Sequence, residues 1–129
     1  MIQPTHWPKP KGYVNAIAAQ GETLYLAGQV AFDDHGVIID GDFVAQFARA
    51  LANVVTVLRA GDAAPTDVVR MTIYVTDLAA YRAAGSGLRD AWRASMGRHY
   101  PAMALVGVAG LVEPRAMVEI EATAVRSLP

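Results

Sequence analysis

The sequence predicts an α+β, two-layer domain in which a mixed β-sheet carries two helices on one face. Three patterns point there. Val69, Met71, Ile73 and Val75 alternate with Arg70, Thr72, Tyr74 and Thr76, and Val118, Ile120, Ala122 and Ala124 alternate with Glu119, Glu121 and Thr123; both have the two-residue period of a strand with one buried face. Between the two ends of the chain, Phe43, Phe47, Ala50, Leu51, Val54 and Leu58 recur at spacings of three and four, the apolar stripe of a helix lying on a sheet. The elements come in the order strand, strand, short strand, helix, strand, helix, strand, strand.

Residues 1–12 hold Pro4, Pro8 and Pro10 beside Trp7 and read as irregular or extended. Residues 13–18 read as a strand turned by Gln20-Gly21, and residues 23–32 as the next strand. That strand runs into Asp33-Asp34-His35-Gly36, where Gly36 can take a positive φ. Val37 and Ile38 add a short returning strand, so this end reads as a meander. Asp40 or Asp42 is placed to cap the first helix and Gly61 to end it. Residues 67–76 form the alternating strand. A second helix starts near Asp77-Leu78 with Tyr81, Leu88, Trp92 and Met96 on its apolar side, and Ala84-Gly85-Ser86-Gly87 predicts a break, since each glycine costs about 1 kcal/mol relative to alanine. Gly97 closes it. Residues 99–112 and 117–125 then read as a β-hairpin, with Glu113-Pro114-Arg115-Ala116 as its turn because Pro114 fixes its own φ and pushes Glu113 out of helical space.

Composition bounds the function. The length of 129 residues predicts a single domain over residues 1–129, and no cysteine is present, which excludes a disulfide framework, a thiol nucleophile and a thiolate metal site. Eleven basic and twelve acidic residues leave a net charge of −1, which argues against a nucleic-acid partner. The apolar run at residues 101–112 is too short to cross a bilayer, which takes about 20 residues. The opening residues lack an apolar signal core, so the expected location is cytoplasmic, with no membrane partner. A content of 53% hydrophobic residues at this size, together with an uncovered sheet face, predicts a subunit interface.

Candidate chemistry starts at Glu119, which alternates away from Val118 and Ile120 and can serve as a general base or hold a water. A salt bridge to Arg70 or Arg126 is the structural alternative, and Glu121, on the same face, reads as a structural hydrogen-bond or ion-pair partner. Tyr13 can donate its hydroxyl or form an aromatic wall. Leu105 and Gly107 can offer backbone groups to a ligand, although a glycine there can equally relieve crowding against another strand. His99 has no second ligand at metal spacing, so no metal site is expected, and Gly28-Gln29 lacks a nucleotide-loop pattern.

Lys11-Gly12-Tyr13, Leu26-Ala27-Gly28-Gln29-Val30, Tyr74-Val75-Thr76-Asp77-Leu78, Tyr100-Pro101-Ala102 and residues 118–125, in that order and spacing, closely resemble the RidA (YjgF/YER057c/UK114) family. The resemblance implies a chorismate-mutase-like fold and a homotrimer with small-molecule clefts between subunits. It also implies hydrolysis, without a cofactor, of reactive enamines or imines to a carbonyl compound and ammonia. In archetypal members an arginine after the Pro-Ala binds the substrate carboxylate, a glutamate on the last strand positions water, and a tyrosine lines the cleft. By motif the glutamate is Glu119 and the tyrosine Tyr13, both assigned as catalytic, while the arginine position holds Met103. Ala27 stands where a serine is common and Ser86 where an asparagine is usual, so the expected cleft is lined by Met103, Leu105, Gly107, Ala27 and Ser86. A thioether replaces a planar two-pronged cation at Met103, which predicts an altered substrate class, or a non-catalytic metabolite- or protein-binding trimer. Arg93 and Arg98 are the candidates to restore the positive charge.

Overall fold

The structure, a computed structural model, describes residues 1–128. Its elements are β1 (Glu22–Gln29), α1 (Phe43–Ala60), a 3-10 turn (Pro65–Asp67), β2 (Val68–Val75), α2 (Leu78–Ala83), α3 (Ser86–Met96), β3 (Ala102–Gly107) and β4 (Val118–Arg126). The strands form one mixed sheet in the order β1-β4-β2-β3. The alternation read from the sequence sets its two faces. Met71, Ile73, Val75, Val118, Ile120 and Ala124 are buried beneath the helices, together with Phe47, Leu51, Val54 and Leu58 of α1 and Trp92 and Met96 of α3.

α1 begins where expected. The Asp42 carboxylate accepts from the Ala45 N–H at 2.9 Å, and the Gly61 N–H closes the other end on the carbonyls of Val57 and Leu58. α1 is the one helix among the described residues with the length and apolarity of a membrane span, and its apolar stripe lies in the core. The predicted break in the second helix is also present: α2 stops at Ala83, Gly85 takes φ 60°, and α3 starts at Ser86.

The predicted hairpin does not form. β3 pairs in parallel with β2, from Arg70 opposite Ala102 to Val75 opposite Gly107, while β4 lies antiparallel on the other edge of β2, from Val75 opposite Val118 to Val68 opposite Ala124. Two physical reasons separate β3 from β4. The helices between β2 and β3 supply the long crossover that a parallel pair requires. Residues 108–117 are then long enough to cross the end of β2, where Val108 N–H donates to Val75 and Thr76 N–H donates to Met117. The turn at Glu113–Ala116 exists, with Ala116 N–H bonded to the Glu113 carbonyl, but it lies within this crossing. A buried glutamine fastens the crossing to α1: Gln46 Nε2 donates to the Arg115 carbonyl at 3.0 Å and Gln46 Oε1 accepts from Met117 N–H at 2.8 Å.

The meander is also corrected. Residues 13–18 make only single bridges, Val14 to Ala102 and Ala16 to Ile2. The Val14 N–H donates to the Pro101 carbonyl, and two residues on the Ala16 carbonyl accepts instead from the Ile2 N–H, so no ladder extends along β3. Ile38 likewise makes one bridge, to Phe32, across the Asp33–Gly36 turn. β1 therefore pairs along its length with β4 alone.

Candidate active site

The sheet separates the candidate residues into two groups. On the face away from the helices, β1, β4 and β2 present Ala27, Glu119, Glu121, Thr72 and Tyr74. A bulge in β1 between Leu26 and Gln29 brings Gly28 over the Glu119 side chain, so closely that a Cβ at Gly28 would lie 2.5 Å from Glu119 Oε1. The glycine thus vacates the space that the carboxylate occupies. Tyr74, opposite Glu119 across the β4–β2 pair, turns its hydroxyl elsewhere and donates to Glu121 Oε1 at 2.6 Å. That bond, chiefly, raises the Tyr74 pKa above its ordinary value, with desolvation adding to it. Glu121 is therefore a hydrogen-bond acceptor within the sheet, whereas Glu119 makes no side-chain hydrogen bond or ion pair among the described residues. Arg126 pairs instead with Glu22 at 2.7 Å.

On the helix side, Met103 and Leu105 project from β3 into a cavity of about 440 Å³. Phe47, Ile73, Tyr81, Leu88, Trp92 and Tyr100 complete its apolar wall, and Lys11, Gly12, Gly85, Arg89 and Arg93 complete the lining. Trp92 and Tyr100 stack with ring centroids 5.8 Å apart and planes within 3°. The Trp92 indole N–H donates to the His99 carbonyl at 3.2 Å, while a His99 ring nitrogen lies 2.6 Å from the Val68 carbonyl, so this corner is fixed by its own hydrogen bonds.

Within one chain, Glu119 and Met103 lie on opposite faces of the sheet, with β2 between their strands. Tyr13, 42% exposed, sits at the outer edge of β3 beside the Val14–Ala102 bridge. Ser86 is exposed at the first turn of α3. Gly107 abuts α2 rather than another strand: a Cβ would meet Leu78 Cδ1 at 2.8 Å, so its small size accommodates that helix. Of the two arginines proposed to offset Met103, Arg93 lines the same cavity as Met103 and Arg98 does not. Sequence reasoning missed Lys11 and Arg89 as cavity residues, and the lining role of Phe47, Tyr81, Leu88, Trp92 and Tyr100. The available signal was the i, i+4 pair Arg89 and Arg93 running beside Leu88 and Trp92, which places a cationic row next to an apolar one. Among the described residues, no cluster of three or more His, Asp or Glu side chains is placed to hold a metal ion.

The family model described as Endoribonuclease L-PSP matches residues 6–126. The chain belongs to the RidA/YjgF/UK114 family. A Yersinia pestis crystal structure, described as a protein of unknown function of the conserved Rid family, superposes with a TM-score of 0.84 at 34% identity, covering 97% of this chain and 96% of that one. A RutC family protein of Pyrococcus horikoshii is 33% identical over 91% of this chain and 90% of its own length. The mouse 2-iminobutanoate/2-iminopropanoate deaminase is 30% identical over 98% of this chain and 90% of its own length. This RidA-family chain carries a mixed sheet with its helices on one side.

Proposed function

We propose that the protein hydrolyses reactive imines or enamines to a carbonyl compound and ammonia without a cofactor, as a cytoplasmic, single-domain homotrimer of chorismate-mutase-like subunits. Family membership and the name of the mouse relative support the reaction class. The observation that carries the site is the Glu119 carboxylate, unpaired among the described residues and seated against Gly28 on the sheet face that no helix covers. A second subunit against that face brings its own β3 edge, with Tyr13, Met103 and Leu105, and the exposed Ser86 of its α3, toward the Glu119 and Ala27 side of the cleft. Glu119 and Met103 lie on opposite faces within one chain, and this arrangement unites them in closed cyclic symmetry.

In the reaction, Glu119 accepts a proton from a water as the water oxygen bonds to the imine carbon, and the C=N electron pair moves onto nitrogen. The resulting carbinolamine nitrogen takes up protons, the C–N bond breaks with its electrons leaving as ammonia, and the oxygen loses its proton to form the carbonyl. Tyr13 closes the cleft with its ring or donates its hydroxyl to the reacting group. With a thioether at Met103 there is no planar cation on β3 to hold a substrate carboxylate, so the preferred substrate differs from a small 2-imino acid.

Ammonia release from freshly generated imines of differing charge and size tests this reading. The protein accelerates release from at least one of them, and Glu119→Ala returns the rate to that of buffer; an unchanged rate in the variant overturns the role of Glu119. Met103 and Ala27, apolar at both cleft positions, favour a second reading in which the trimer binds a small metabolite without turnover. Thermal stabilisation by ligands with no acceleration for any imine would select it. A ribonuclease activity draws no support from a chain of net charge −1 whose open sheet face carries Glu119 and Glu121.

A further inference from the structure

The cavity between α3 and β3 has a wall and a mouth of opposite character. Its wall is apolar: Met103 and Leu105 from the strand, and Trp92 stacked on Tyr100. The only polar atom of Trp92 is committed to the His99 carbonyl, so the indole presents carbon to the cavity. The mouth is cationic. Arg89 and Arg93 are exposed and both line the cavity, one helical turn apart, with Lys11 arriving from the N-terminal segment. Arg49, Arg115 and Arg126 have carboxylate partners within 4 Å, whereas Lys11, Arg89 and Arg93 have none among the described residues. Like charges at i, i+4 repel one another on a helix, and an anion between them relieves that repulsion. At about 440 Å³ the space falls in the usual range of small-molecule sites, roughly 300–1,000 Å³.

We propose that this cavity binds a monocarboxylate with an aromatic body, the ring lying against Trp92, Leu105 and Met103 and the carboxylate held at the mouth by Arg89 and Arg93. As a statement of binding this is independent of turnover; as a statement of substrate class it rests on the imine-hydrolase reading and extends it to arylalkyl 2-imino acids. The arginine forks suit a carboxylate because two parallel N–H donors match its two oxygens. The short aliphatic acids have the charge but leave the apolar wall unfilled, and neutral aromatic compounds fill the wall but leave the arginines unpaired.

Isothermal titration calorimetry with 3-phenylpropanoate, its neutral amide and propanoate, each without turnover, tests the proposal. The acid binds the wild-type protein about tenfold or more tightly than either the amide or propanoate, and its affinity falls with added salt while that of the amide does not. In Arg89→Gln/Arg93→Gln the preference for acid over amide disappears and the amide affinity is retained; both side chains are exposed and unpaired among the described residues, so the melting temperature stays at the wild-type value. Arg93→Lys keeps part of the preference, through charge without the planar fork. Equal affinities for acid and amide, a preference that survives the double variant, or no saturable binding of either compound would each overturn the proposal. Loss of ammonia release with binding intact would count only against the hydrolase reading.

Discussion

Gly28→Ala is a small perturbation with a large expected consequence. The methyl group would sit 2.5 Å from Glu119 Oε1, 2.7 Å from its Cδ and 2.8 Å from its Cγ, where ordinary contact begins at 3.4 Å. Every one of these atoms belongs to the outer part of a flexible side chain, so the carboxylate withdraws while the backbone stays. Gly28 does not have a positive φ, so alanine fits the main chain and stabilises by about 0.5–1 kcal/mol through the unfolded state. A displaced rotamer of Glu119 costs about 0.5–1.5 kcal/mol, so the two nearly cancel and the melting temperature changes by only a few degrees. Activity behaves differently. Displacing a catalytic group by about 1 Å costs on the order of 100-fold in rate, so ammonia release by Gly28→Ala falls close to that of Glu119→Ala. The paired assay is a thermal melt and ammonia release on the same preparation. Full activity at an unchanged melting temperature would refute the view that the placement of Glu119 against Gly28 matters to the chemistry.

Gln46→Leu removes both bonds that hold residues 115–117 to α1 and leaves the Met117 N–H and Arg115 carbonyl without partners, so chemical denaturation should show a loss of about 1–3 kcal/mol; a loss below about 0.5 kcal/mol would mean that the crossing is held by other contacts. Tyr74→Phe removes the donor to Glu121. Because the folded pKa of Tyr74 is raised above its ordinary 10.0, the stability its ionisation equilibrium contributes is fully present below pH 10 and is lost as pH rises through the raised value. The difference in melting temperature between wild type and Tyr74→Phe should hold steady to about pH 10 and shrink above it, and a difference that grows with pH would contradict the assignment.

What the sequence makes legible is local. α1 is bounded by Asp42 and Gly61, as its cap residues require; β2 follows its alternation from Met71 to Val75, while a register shift puts Val68 in the core in place of Val69; and the α2–α3 break falls at the glycines between residues 84 and 87. Pairing is a different matter. Alternation states which residues are extended and which face they present, but it carries no information on the neighbouring strand, and the Pro114 turn made β3 and β4 look adjacent. The four-residue turn read at Glu113–Ala116 is of ordinary hairpin length, and only the end of β3 at Gly107 makes the connection the ten residues 108–117 that cross β2. The extended stretch at 13–18 misled for a related reason: its β-prone residues state an extended chain, but Val14 and Ala16 bridge to two different segments, Ala102 and Ile2, and build no ladder with either. Glu119 was legible as an outward residue on an alternating strand. The cavity was not, because it exists only where α3 lies over β3, and residues as far apart as Lys11, Phe47 and Leu105 meet there through the tertiary fold.

Glu119 and Met103 occupy opposite faces of one chain, so the central claim is that a working cleft takes its glutamate from one subunit and its β3 wall from the next. Co-expression of Glu119→Ala with Leu105→Trp, each inactive alone and each carrying a different affinity tag, isolates mixed trimers by sequential purification. With cyclic three-fold symmetry every mixed trimer, whichever variant is in the majority, contains one cleft with both components intact, so the account predicts about one third of wild-type ammonia release per trimer. Mixed trimers as inactive as their parents would contradict it.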